Sequence, residues 1–137
     1  MKILYNVENS NWIIDRIGEE FKEYSKHDVR FTWDLASTSD IDLIWLGASF
    51  NWRHLASGPS KKEQDELFGI LKSKPVICTI HHVVPWKWNE QKYNEFMVRD
   101  QFVDMYHVYT EQTAAFIKWL SKKPVEIIPH WVNSKIW

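Results

Sequence analysis

The chain has 137 residues, 45% of them hydrophobic and 26% charged, with a formal net charge of −1. That size and balance suit one domain with one core, and the near-neutral charge argues against a nucleic-acid binder working through a basic face. No apolar run approaches the roughly 18 residues that span a bilayer, no signal-peptide pattern is visible, and the single cysteine, Cys78, excludes an internal disulfide, all of which fits a cytoplasmic protein.

Residues 2–7 (KILYNV) form a short β-rich run and the expected first strand. A polar turn at 8–11 follows, where Asn9 or Ser10 can cap a helix. From Trp12 onward, Ile13, Ile17, Phe21 and Tyr24 recur at helical spacing, and the helix is expected to end near Lys26-His27. Residues 29–33 (VRFTW) and 41–46 (IDLIWL) read as two further strands, joined by a loop at 34–40. That loop is too short for a helix, and seven residues reach at most about 24 Å, so a parallel pairing demands an extended connection.

After a loop at 50–59 carrying Trp52, Arg53 and His54, Ser60 and Glu63 make a capping box. Leu67, Ile70 and Leu71 continue that helix to about Ser73, and Pro75 stops it. The run from Val76 is a fourth strand, apolar enough to be buried on both faces, and it gives way to His81-His82, Pro85, Trp86 and Trp88. Asn89 caps a helix reaching about Phe102, 105–109 is a fifth strand, Thr110 caps a helix through Leu120, and 124–129 is a sixth strand. Strands alternate with helices almost throughout. The expected fold is therefore α/β, Rossmann-like and doubly wound, with a mainly parallel six-stranded sheet flanked by helices.

Several chemistries are excluded by pattern. There is no G-x-G-x-x-G, no P-loop and no G-x-S-x-G elbow, and the chain has only four glycines. His81 and His82 are adjacent and so point to opposite faces of a strand, and no H-E-x-x-H or C-x-x-C spacing exists, so no metal is expected. Cys78 falls in the buried run, where a thiol is inert. His81 stands where open α/β sheets place their ligands, beyond a strand's carboxyl end, and an imidazole there suits a hydroxyl-rich ligand. A structural histidine bonded to backbone is the equal alternative. Glu111 opens the helix after strand five, a favourable place for a carboxylate, with helix stabilisation as its ordinary role. Of nine tryptophans, Trp52, Trp86, Trp88, Trp131 and Trp137 fall in loops or at the chain end. They suit stacking on a sugar or a partner, or simple packing over a small domain.

The TIHH end of strand four resembles the T-x-H strand end in the N-terminal domain of GT-B glycosyltransferases of the glycosyltransferase family 4 type. Residues 103–110 (VDMYHVYT) resemble that family's next strand, and 125–137 (VEIIPHWVNSKIW) its I-P-N-G segment, in the same order and spacing. Glu8-Asn9-Ser10 stands where the family carries a Gly-Gly turn, His130-Trp131 where it carries Asn-Gly, and Asn133 where it carries Asp. The resemblance implies transfer of a sugar from a nucleotide-sugar to an acceptor hydroxyl, with retention and without a metal or other cofactor. It implies that these residues are the acceptor-side half of a two-domain enzyme whose C-terminal, donor-binding domain is absent, leaving this half inactive alone. It assigns His81 to the donor sugar and Asn9, Ser10, Trp52, Arg53, Trp86 and Trp88 to substrate binding; Glu111 is added to the substrate-binding candidates from its place at a helix N-terminus. The acceptor would be a glycan or a lipid-linked sugar, with a weak peripheral membrane contact through the helix bearing Lys118, Trp119, Lys122 and Lys123. The competing expectation is a non-catalytic Rossmann-like module that binds a sugar, nucleotide or protein partner through its Trp-rich edge.

Overall fold

The computed structural model describes residues 1–7, 12–32, 39–47 and 60–130. Six strands form one sheet in the order β2-β1-β3-β4-β5-β6, and every neighbouring pair is parallel. The strands are β1 (Lys2–Asn6), β2 (Asp28–Thr32), β3 (Leu43–Leu46), β4 (Val76–Ile80), β5 (Met105–Val108) and β6 (Val125–Ile127). The helices described are α1 (Ile13–Tyr24), α2 (Lys61–Ser73), α3 (Glu90–Asp100) and α4 (Glu111–Leu120), with a 3-10 turn at Pro85–Lys87. The doubly wound α/β architecture expected from the sequence is the one observed.

Alternation along the strands divides the interior in two. Ile3, Tyr5 and Val7 point to the face covered by Ile14 and Ile17 of α1. Leu4, Ile44, Leu46, Val76, Cys78, Ile80, Tyr106 and Val108 point to the other face and pack with Leu71, Phe96, Ala114 and Ile117 from α2, α3 and α4. A parallel sheet must be covered on both sides, which is why its strands read as continuous apolar runs. The short connection between β2 and β3 is resolved by geometry: both strands pair with β1, on opposite sides of it, so the chain passes across β1 rather than returning beside β2. Asp42 secures the far end of that passage by accepting from the Lys2 backbone N–H at 2.7 Å.

The buried stripe of α1 differs from the one predicted. Ile13 and Tyr24 are exposed, and the buried positions are Ile14, Asp15, Ile17 and Gly18, with Phe21 half-buried. Gly18 explains the offset. A Cβ there would lie 2.6 Å from the Phe31 ring and 2.9 Å from that of Tyr5, so the helix settles on the sheet through the missing side chain. The N-cap position of α1 is Trp12, with no side-chain cap, and the proposed caps Asn9 and Ser10 lie outside the described residues. Two of the other expected caps are seen: Asn89 Oδ1 accepts from the Lys92 N–H at 3.0 Å, and Thr110 Oγ1 from the Thr113 N–H at 3.2 Å; the Ser60–Glu63 box rests on a Glu63 side chain outside the described residues.

Two glycine substitutions should separate these effects in thermal unfolding. Gly18→Ala forces Phe31 and Tyr5 apart and should cost about 1–3 kcal/mol. Gly69→Ala, on the exposed side of α2 with nothing near its Cβ, should instead raise stability by about 0.5–1 kcal/mol.

Candidate functional site

Strand order reverses between β1 and β3, and the carboxyl ends of strands flanking such a point form the ligand crevice of open α/β sheets. β4 ends at Ile80, and the next residue, His81, reaches back across β3: its Nε2 lies 2.9 Å from the Gly47 carbonyl oxygen. A carbonyl can only accept, so Nε2 carries the proton. The His81 ring is 5.1 Å from that of Tyr109 and 6.3 Å from that of His130. Tyr109 and His130 stack nearly flat at 3.5 Å. His82 points outward to solvent, as alternation requires.

One layer below lies a polar chain that the apolar context makes obligatory. Thr79 and His107 face each other across β4 and β5 in register. Trp45 Nε1–H donates to Thr79 Oγ1 at 2.9 Å, Thr79 Oγ1 lies 3.0 Å from His107 Nδ1, and His107 Nε2 lies 3.1 Å from the Ile128 carbonyl oxygen. Ile128 O can only accept, so His107 is the Nε2–H tautomer and the Thr79 hydroxyl donates to Nδ1. Every bond then runs in one direction, from β3 through β4 and β5 to the residues after β6. Tyr109 packs edge-on against His107 with ring centroids 4.7 Å apart.

Both ring systems are held neutral. Burial pushes the His81 imidazole below its ordinary value; the bond to Gly47 opposes this, and the neighbouring His130, His107 and His82 add to it. Burial likewise lowers His107, against the bond to Ile128 and with a smaller push from His130. Burial raises the Tyr109 phenol to about 12, so it stays protonated. Among the described residues no group of three or more His, Cys, Asp or Glu is arranged to hold a metal ion. The arrangement therefore offers neutral hydrogen-bonding groups and aromatic faces rather than charge.

Of the residues singled out by sequence, His81 stands just beyond β4 beside the point where strand order reverses and is bonded to backbone, as its structural alternative expected. Asn9, Ser10, Trp52 and Arg53 lie outside the described residues, as do Trp131 and Trp137. Trp86 sits on the 3-10 turn with 84% of its surface exposed. Trp88 is turned inward and packs on Phe96 and Phe116, with ring centroids 5.8 and 4.9 Å away, which makes it part of the core under α3 and α4. Glu111 is exposed in the first turn of α4, the position favourable to a carboxylate. Thr79, His107, Tyr109 and His130 were not anticipated as site residues. The signal was present: 107 and 109 alternate with the apolar 106 and 108, and the strand pairing sets His107 opposite Thr79. Cys78 is fully buried and burial raises its thiol, in keeping with an inert core residue. A separate cavity of about 310 Å3, bordered by Glu20, Phe21, Tyr24 and Ser25, lies where α1 gives way to β2, at the other end of the strands from His81.

No family model, no curated protein and no solved structure matches this chain. Among the described residues no helix is long and apolar enough to cross a membrane.

The polar chain makes two predictions. Thr79→Val leaves the Trp45 N–H and His107 Nδ1 without their shared partner and should cost about 1–3 kcal/mol in denaturant unfolding. Because His81 and His107 are lowered in the folded state while the unfolded chain titrates near 6.5, the unfolded state binds more protons as the pH falls. Their contribution to stability is complete above pH 6.5 and is lost as the pH drops below it. Tm should therefore fall between pH 7.5 and 5.5, and by less in His107→Gln.

Proposed function

We propose that this chain is the acceptor-side α/β domain of a GT-B type glycosyltransferase, which moves a sugar from a nucleotide-sugar to a hydroxyl of a glycan or lipid-linked acceptor. The observation that carries the reading is His81, a neutral imidazole just beyond the end of β4, bonded to the end of β3 beside the point where strand order reverses. The T-x-H strand end and the I-P segment add support through their resemblance to that family in sequence. In those enzymes two Rossmann-like domains face each other across a cleft, and the second holds the nucleotide diphosphate. This domain's part is to orient the donor sugar through His81 and to present the acceptor from the loops after β1, β3 and β4. Charge developing on the leaving diphosphate is stabilised by fixed donors and cations in the facing domain. Retention, independence of metal and the absence of a resident cofactor belong to this reading by resemblance.

A second reading is favoured by Trp86 and Trp119, which expose 84% and 77% of their surface. Here the chain is a non-catalytic module that captures a sugar, nucleotide or protein partner on a Trp-rich edge.

The test is the protein at its full genomic length, assayed for nucleoside diphosphate release and sugar transfer with a panel of UDP-, GDP- and dTDP-sugars. Removal of one sugar-orienting hydrogen bond in His81→Ala should lower kcat/KM about ten- to hundredfold with the fold intact by circular dichroism. Transfer that is indifferent to His81→Ala overturns the assigned role. If no donor is turned over and Trp86→Ala or Trp119→Ala abolishes ligand capture, the second reading holds instead.

A further inference from the structure

Gly47 stands at the end of β3, hard against β1. A Cβ at this position would lie 2.6 Å from the Asn6 carbonyl oxygen and 2.8 Å from the Tyr5 ring. The first of those neighbours is the backbone of the central strand and cannot retreat, so only glycine allows so close an approach. The Gly47 N–H donates to the same Asn6 oxygen at 2.9 Å, and the next peptide turns its carbonyl to His81 Nε2, also at 2.9 Å. A neutral imidazole has one N–H, and here it is committed to Gly47. Nδ1 therefore carries a lone pair, and among the described residues nothing bonds to it.

The groups that face His81 are His130 beyond β6, His107 and Tyr109 on β5 and His82 on its own strand end. Tyr109 is a neutral phenol and the other three are imidazoles; among the described residues no carboxylate acts on the ring. A second proton on His81 would meet burial and other imidazoles, with no anion to balance it.

We infer that Gly47 is a positioning residue that locks His81 as the Nε2–H tautomer, so that the site takes ligands that donate a hydrogen bond to Nδ1, a sugar hydroxyl above all. The identity of the donor group rests on the sugar-transfer reading; the tautomer does not. The direction of the bond sets the sign of the pH dependence. Protonated His81 has an N–H on both nitrogens and nothing with which to accept, so affinity falls with pH. An anionic ligand would show the opposite slope.

The first experiment needs no ligand. Nitrogen-15 NMR of histidine-labelled protein at pH 7.5 should show His81 as Nε2–H, and Gly47→Ala should shift it to a mixture of tautomers. Should that variant fail to fold, the wild-type spectrum decides: an Nδ1–H tautomer or an imidazolium at pH 7.5 overturns the inference. The second experiment follows chemical-shift titrations with UDP-glucose, GDP-mannose and methyl hexopyranosides. An Asn side chain places its acceptor near the position of Nδ1, whereas Gln places a donor near Nε2. His81→Asn should retain weakened binding, and His81→Gln should lose about tenfold or more, as expected for one lost hydrogen bond of about 1.4 kcal/mol. Binding that survives in Gln and not in Asn, or binding of the uncharged methyl hexopyranosides that tightens between pH 7.5 and 5.5, overturns the inference. If the tautomer is Nε2–H and none of these sugars binds, the sugar reading fails with the hydroxyl assignment, while the positioning role of Gly47 is upheld.

Discussion

Everything in this domain depends on β1 being hydrogen-bonded along both edges. It pairs in parallel with β2 on one side and β3 on the other. Because crossovers between parallel strands are right-handed, a chain that builds outward in both directions must place its helices on opposite faces. The division of the core obeys this: among the described helices α1 covers the face of Tyr5, and α2, α3 and α4 share the other. The position of His81 beside the point where strand order reverses follows from topology, and its chemistry from residue choice.

That chemistry required polar side chains on strands buried from both sides. An unpaired hydroxyl, indole or imidazole there costs about 1–3 kcal/mol. The chain avoids this by joining them: Trp45, Thr79, His107 and the Ile128 carbonyl form one series in which each donor has one acceptor. The series crosses β3, β4 and β5 and fastens the backbone just after β6, two residues before His130. Side-chain bonds therefore brace the platform on which the Tyr109–His130 stack rests, in a sheet otherwise held by backbone ladders and apolar packing. His81 uses a different device, a single bond to a carbonyl that glycine alone can bring into range.

The sequence was legible wherever the physics is local. Apolar runs located all six strands, the Asn89 and Thr110 caps lay where their side chains predicted, and the order of strands and helices implied a parallel sheet. What failed to show was what depends on contact between distant residues. The stripe of α1 was read correctly at Ile17 and Phe21 and wrongly at Ile13 and Tyr24, because a pattern built on apolar side chains has no place for Gly18, whose missing Cβ defines the contact. Trp88 looked like a loop aromatic until Phe96 and Phe116, from two helices, enclosed it. His107 and Tyr109 stood in plain alternation on β5, yet their partners Thr79, Trp45 and His130 come from three other segments. His81 was legible as the polar end of β4 because that signal, a polar residue ending an apolar strand, is contained in one stretch.

Cys78 has a use unconnected with ligands. It is the chain's one cysteine, fully buried on β4 with β3 and β5 on either side. A thiol there is closed to reagents until the centre of the sheet comes apart, since fraying helices and moving loops do not expose it. The rate at which a maleimide or disulfide reagent captures Cys78 therefore measures how often the whole sheet opens. The protein carries a built-in clock for its own unfolding, placed at the strand whose next turn of chain is the candidate site.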